Sequence, residues 1–151
     1  MADTISPEKR STLMARVGPK NTKPEWIVRS LLHAAGWRYR LHKKGLPGTP
    51  DLVFGSRKAV LFVHGCFWHG HSCRLGRLPK TRTEFWAAKI SANRERDARK
   101  AAELTGSGWR VLTVWQCSLK QPDRLLVEME DFLRGEAALV ETRPMDVEKG
   151  V

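Results

Sequence analysis

Apolar residues recur along the chain in two rhythms. Trp26, Ile27, Val28, Leu31 and Leu32 follow the three-to-four residue spacing of a helix with one buried face. Thr22 stands at a capping position before them, Pro24 falls in the first turn, and Glu25 lies three residues after Thr22. Gly36 closes the stretch. A helix is therefore predicted from Thr22 to Gly36, opened by a capping box. Leu125, Leu126, Met129 and Phe132 repeat the rhythm after Pro122. Between these lie strand-like segments. Asp51-Leu52-Val53-Phe54 is a short strand, and Gly55-Ser56-Arg57-Lys58 reads as a hairpin-like turn. Ala59-Val60-Leu61-Phe62-Val63 is a continuous apolar run, as in a central strand covered on both faces. Residues 109–115 make a third strand. Thr81-Arg82-Thr83-Glu84 has the form of a second capping box, opening a long helix from about 82 to 104 that Gly106 and Gly108 end. Ser6-Pro7-Glu8 marks an earlier helix start.

This order of elements predicts an α/β domain with a mixed central sheet flanked by helices. A helical crossover between 59–63 and 109–115 makes those two strands parallel. Residues 43–50 form a turn-rich connector, and the tail after Gly135 carries no pattern and is expected to be frayed. A length of 151 residues suits one domain. No apolar run approaches the ~18 residues of a transmembrane helix. No apolar signal region follows Met1, so the expected compartment is the cytoplasm.

Charge narrows the function. Lys and Arg total 27 against 16 Asp and Glu, a net charge of +11. The excess lies in residues 1–44 and 74–100, whereas residues 121–151 are net acidic. Two basic segments that meet in space would attract a polyanion, and nucleic acid is the expected partner.

The chemistry-bearing residues cluster in His64-Gly65-Cys66-Phe67-Trp68-His69-Gly70-His71-Ser72-Cys73. Cys66, His71 and Cys73, with Cys117 just past the third strand, suit tetrahedral zinc in a closed structural site. Plain burial of Cys117 is the alternative. With 3 cysteines and no export signal, a disulfide framework is not expected. His64 and His69 lie outside that set, near the end of a buried strand, where an imidazole can move a proton near neutral pH. Asp51 follows Pro50 at a strand start. It reads either as a Mg²⁺ ligand or as a turn cap. On the 82–104 helix, Trp86, Lys89 (or Ile90), Asn93 and Asp97 recur on one face, flanked by Arg82, Arg94, Arg96 and Arg99. Lys and Asn there suit base edges and phosphates. Phe67 and Trp68 lie in a loop. They either wedge between bases or cover the metal site.

Five strings together resemble the very short patch repair endonucleases over roughly residues 6–135. They are Leu46-Pro47-Gly48-x-Pro50-Asp51, the Phe62-to-Cys73 segment, Thr81-Arg82-Thr83-Glu84-Phe85-Trp86, the Lys89-Ile90…Asn93…Asp97 set, and Gly108-Trp109-Arg110-Val111-Leu112-x-Val114-Trp115-x-Cys117. The resemblance implies a restriction-endonuclease-like core in a monomeric bacterial enzyme acting at the nucleoid. Such an enzyme nicks one strand of double-stranded DNA 5′ of the T in a T:G mismatch left by 5-methylcytosine deamination. By the same resemblance, Asp51 and the backbone carbonyl of Val63 hold Mg²⁺, two ions in all. His69 is the general base, Asp97 orients it, and His64 and Glu25 complete the active site. Cys66, His71, Cys73 and Cys117 hold one structural Zn²⁺. Phe67, Trp68 and Trp86 wedge beside the mismatch, Met14 enters from the other groove, and Lys89 and Asn93 read the mismatched pair. Residues 1–20 become a DNA-contacting segment, 21–135 the endonuclease domain and 136–151 a tail, with mismatch-repair proteins as candidate partners. Two departures matter. Phe62 and His64 stand where nucleases of this fold usually carry an acid and a lysine, so histidine has to supply the base. Position 63 is Val where Thr is expected, a change that a hydroxyl would feel and a backbone carbonyl would not. Glu25 also fits a purely structural capping box. A zinc-stabilised DNA-binding module and a restriction-type nuclease with another target remain the alternatives.

Overall fold

The computed structural model describes residues 22–136 and 140–142. Helix α1 (Lys23–Ala34) is followed by strands β1 (Arg40–Leu41), β2 (Leu52–Phe54) and β3 (Ala59–His64). Helix α2 (Thr83–Gly106), β4 (Arg110–Trp115) and α3 (Pro122–Leu133) complete the domain. The four strands lie in the order β1-β2-β3-β4. β1 and β2, and β2 and β3, pair antiparallel, whereas β3 and β4 run parallel. The mixed sheet and the parallel pair are as the pattern predicts. The two-residue β1 was not foreseen, because it is exposed and too short to carry a periodicity.

Alternation along the strands builds three layers. Leu52, Phe54, Ala59, Leu61, Leu112 and Val114 face Val28 and Leu32 of α1 and Leu125, Met129 and Phe132 of α3. Val53 and Val60 face the other way, onto Leu104 of α2, with Phe62 packed beside them. The parity matters for the site. Asp51 lies two residues before Val53, and His64 follows Val60 and Phe62 at every second position. Both therefore come out on the α2 face. Among the described residues no helix is long and apolar enough to cross a membrane.

Two local expectations need correction. The capping box at Thr81 and Glu84 does not form: Arg82 occupies the N-cap in a left-handed conformation, φ 55°, with no side-chain cap. Thr83 instead donates its hydroxyl to the carbonyls of Pro79 and Lys80, tying the helix to the preceding loop. Residues 140–142, expected in a frayed tail, lie along the outer edge of β4. Thr113 donates to the Val140 carbonyl and accepts from Thr142, in a parallel bridge to Glu141. The Thr142 hydroxyl accepts from the Trp115 N–H at 3.0 Å, and Glu141 accepts from the Trp115 indole at 2.6 Å. The helix start at Ser6-Pro7-Glu8 and Met14 lie outside the described residues.

Candidate active site and metal centre

Several elements deliver carboxylates and imidazoles to one cleft of about 400 Å³, lined by His42, Asp51, Val63, His64, His69, Arg96, Asp97 and Lys100 among others. Asp51, at the start of β2, accepts a 2.7 Å hydrogen bond from the Val63 N–H across the β2–β3 pair. Burial pushes its carboxyl up to about 7, and the neighbouring Glu25 adds to the rise against the Val63 hydrogen bond. Glu25 comes from the first turn of α1. Its N–H donates to Thr22 Oγ1 at 3.4 Å, so the cap is real. Its carboxylate turns inward, accepting from Arg29 at 2.9 Å and lying 3.0 Å from His42 Nε2. Glu25 is only 1% exposed, deep for a glutamate. The cap at Thr22 uses the Glu25 backbone N–H, while its carboxylate faces Arg29 and His42.

His64 ends β3, and His69 lies in the following loop. Their rings stack at 3.8 Å with planes 5° apart. Lone pairs in parallel planes do not converge on one ion, so this pair is better suited to proton transfer than to chelation. His69 Nδ1 meets Asp97 Oδ2 at 2.6 Å, and His64 Nδ1 lies 4.0 Å from the same oxygen. Burial and the adjacent His69 hold His64 down near 4, against the pull of Asp97, so it is neutral at pH 7.

The same loop carries the second cluster. Cys66, His71, Cys73 and Cys117 are all buried and bring ligand atoms within 4.8 Å of one another. Cys117 Sγ lies 3.6 Å from His71 Nδ1, and the His71 ring stacks on Trp115 at 4.0 Å. Burial raises the Cys66 thiol well above its ordinary value; the Cys117 backbone N–H opposes the rise, and the neighbouring Cys117 and Cys73 thiols add to it. Three thiols crowded against an imidazole out of water fit a soft cation that would draw off their protons. The loop also needs its glycines. Gly70 has φ 66°, and a Cβ there would meet Ile90 and Arg94 of α2 at 2.6 Å; at Gly76 it would run into the His71 carbonyl. The loop is thus pressed against α2, with His69 between two members of the cluster.

The aromatic residues form a third feature. Phe67, Trp68 and Trp86 pack edge to face, with centroids 5.1 to 5.7 Å apart. Trp68 is 50% exposed, large for a tryptophan in a folded domain. Asn93 donates to the Trp68 carbonyl at 2.9 Å and accepts from Arg96 at 3.1 Å, so it ties the loop to α2. Lys89 is exposed one turn away. Trp86, Asn93 and Asp97 follow one face of α2, and the aromatic cluster and the cleft are neighbours along it.

His42 was missed by sequence reasoning. It follows β1, in a stretch without periodicity, and its only signals were an imidazole beside the turn-rich connector and a φ of 45°, which the sequence does not display. Arg29 was missed as well, because on the helical pattern it reads as one more solvated cation.

Known proteins share this fold and sequence. The catalytic domain of the homing endonuclease I-Bth0305I superposes with a TM-score of 0.56, covering 77% of this chain and 98% of that one at 22% identity. Residues 2–75 match the family described as DNA mismatch endonuclease Vsr. The type II nicking enzyme V.XorIIP of Xanthomonas oryzae pv. oryzae is 59% identical, across 88% of this chain and 98% of the relative. V.NmeAIP of Neisseria meningitidis, also a type II nicking enzyme, is 44% identical across 87% and 99%. The DNA mismatch endonuclease Vsr of Escherichia coli is 42% identical across 91% and 92%. Fold and relatives define a DNA endonuclease. The chain belongs to the Vsr family of DNA mismatch endonucleases, the very short patch repair enzymes.

Proposed function

We propose that this endonuclease, acting as a monomer, hydrolyses one phosphodiester 5′ of the T of a T:G mismatch with the help of Mg²⁺, starting very short patch repair. The observation that carries the reading is the convergence of Asp51, His64, His69 and Asp97 on one cleft beside the Phe67–Trp68–Trp86 cluster, in which the Cys66–Cys73 loop meets α2 and Trp68 is exposed. In the proposed roles, Asp51 and the Val63 carbonyl hold the divalent ions. Such ions, when bound, stabilise charge on the attacking and leaving oxygens. Position 63 then acts through its backbone, so Val serves as well as Thr.

With Nδ1 of His69 held by Asp97 at 2.6 Å, Nε2 is the nitrogen left to take a proton from the attacking water. Asp97 fixes the ring and favours the imidazolium that forms. Neutral His64 lies flat against His69 and donates to the phosphate without adding charge. Glu25 completes the acidic side of the cleft. Arg96 and Lys100 supply cations along its α2 wall for the DNA backbone. Phe67, Trp68 and Trp86 enter the stack where mispairing has weakened it, Lys89 and Asn93 approach the mismatched pair, and Met14 reaches the opposite groove. Cys66, His71, Cys73 and Cys117 hold Zn²⁺, which pins the loop that carries His69 and the aromatics.

A strand-specific nicking assay with Mg²⁺ tests the proposal. Matched and T:G-mismatched duplexes with varied flanks serve as substrates, and Asp51→Ala as control. Cleavage confined to the T strand beside the mismatch, and absent in the variant, is expected. Equal cleavage of matched duplexes would refute the mismatch specificity, and DNA binding without cleavage would refute the enzymatic reading.

A further inference from the structure

The roles above leave His42 unassigned. Its Nε2 lies 3.0 Å from Glu25 Oε1 and 3.7 Å from Asp51 Oδ1. Each of the three residues offers a ligand atom, and all lie within 4.8 Å of one another. They come from three separate places: the first turn of α1, the end of β1 and the start of β2. None of the three side chains is more than 14% exposed. Adjacent donors around an octahedral ion with ~2.1 Å bonds stand about 3.0 Å apart; the His42–Glu25 pair has this spacing and the His42–Asp51 pair, at 3.7 Å, is wider. Arg29, 2.9 Å from Glu25, is the cation paired with that carboxylate, and a bound divalent ion would add the charge that favours the ionised form of Asp51 beside it.

An imidazole changes which cation suits the site. Oxygen donors alone favour Mg²⁺, whereas a nitrogen donor adds affinity for first-row transition ions. We propose that His42 is a direct ligand of the divalent ion in the cleft, making a mixed nitrogen–oxygen site with Glu25 and Asp51 that binds Mn²⁺ in preference to Mg²⁺. The inference rests on the reading that Asp51 holds that ion. His42 adopts the left-handed backbone region, φ 45°, and its N–H donates to the Asp51 carbonyl, so the backbone itself turns the ring toward Asp51.

The test is a titration of the full zinc-loaded chain with Mn²⁺, followed by the electron paramagnetic resonance signal of free Mn²⁺. Electron spin echo modulation of the bound ion then reports any directly coordinated ¹⁴N. The proteins are wild type, His42→Gln, His42→Asn and Asp51→Asn. Wild type is expected to bind Mn²⁺ with clear ¹⁴N modulation. His42→Gln should lose the modulation and bind Mn²⁺ on the order of tenfold more weakly, with a smaller change for Mg²⁺ in competition. Asp51→Asn should lose the ion. Binding that needs Asp51 but shows no ¹⁴N modulation in wild type, or modulation that persists in a folded His42 variant, would overturn the assignment and leave the Asp51 reading intact. The wild-type spectrum decides even if a variant fails to fold. Absence of saturable binding, or binding indifferent to Asp51→Asn, would overturn both.

Discussion

Divalent-metal affinity should depend on pH where an ordinary carboxylate has finished titrating. Asp51 is raised from 3.8 to about 7, chiefly by burial. The groups facing it are the Val63 N–H from β3, Glu25 and Arg29 from α1, and His42 after β1. A cation binds the carboxylate form, so below the folded pKa each ion displaces a proton. The ionised fraction is about one tenth at pH 6 and about nine tenths at pH 8, so affinity should fall about tenfold between them. A carboxyl at its ordinary value would change by almost nothing over that range. Metal-free stability is a poorer readout, because two groups oppose each other. The folded state keeps the Asp51 proton up to about 7, so this group's contribution falls as pH rises from about 4 to 7, by on the order of 4 kcal/mol. His64, lowered from 6.5 to about 4, works the other way: folded protein resists its protonation, so stability falls as pH drops through that window. Binding separates the two, because His64 stands on the Asp97 side of the cleft. Calorimetry of Mg²⁺ or Mn²⁺ binding at pH 6, 7 and 8, in buffers of different ionisation enthalpy, gives both affinity and protons released. His42→Gln should still release the proton if Asp51 is its source. Equal affinity at pH 6 and 8 with no proton release would refute the argument.

Asp97→Asn should cut nicking by about 10²–10⁴-fold with DNA affinity nearly unchanged, since it loses the acceptor that holds the His69 tautomer; single-turnover kinetics beside a binding titration check this. Cys73→Ser should leave less than one zinc per chain and a lower melting temperature, read by metal analysis and circular dichroism. Trp68→Ala should weaken mismatched-duplex binding by about 1–3 kcal/mol while sparing matched duplex, measured by fluorescence anisotropy on the two duplexes. Leu61→Ala, at a side chain with no exposure in the central strand, should destabilise folding by about 2–5 kcal/mol in urea titrations.

The parts of this fold that were legible are those where one local rule operates alone. The apolar run 59–63 has no polar partner to confuse it, and it became the central strand. The helix between it and 109–115 fixed the parallel pair. The motif residues of the cleft could be named because imidazole, thiol and carboxylate stand out from a packed chain. What stayed hidden depended on contacts distant in sequence. The box at Thr81 satisfies a short pattern, yet the chain turns left-handed at Arg82 and the hydroxyl of Thr83 does the tethering. Residues 140–142 carry no periodicity, because their partner is the edge of β4. The imidazole of His42 beside the connector could not be read alone, because its meaning comes from Glu25 and Asp51, which reach it from two other elements.

The loop from Cys66 to Cys73 joins two fates. His69 sits between Cys66 and His71, so the side chain proposed to take the proton is held by the same few residues that make the thiol-rich centre. Oxidation or loss of an ion there would release His69 from Asp97 and Trp68 from Asn93 together. On the roles proposed for His69 and Trp68, damage to this centre would yield a silent protein and not a promiscuous one: a strand-cutting enzyme that fails safe, its cutting and its lesion recognition disarmed in a single event.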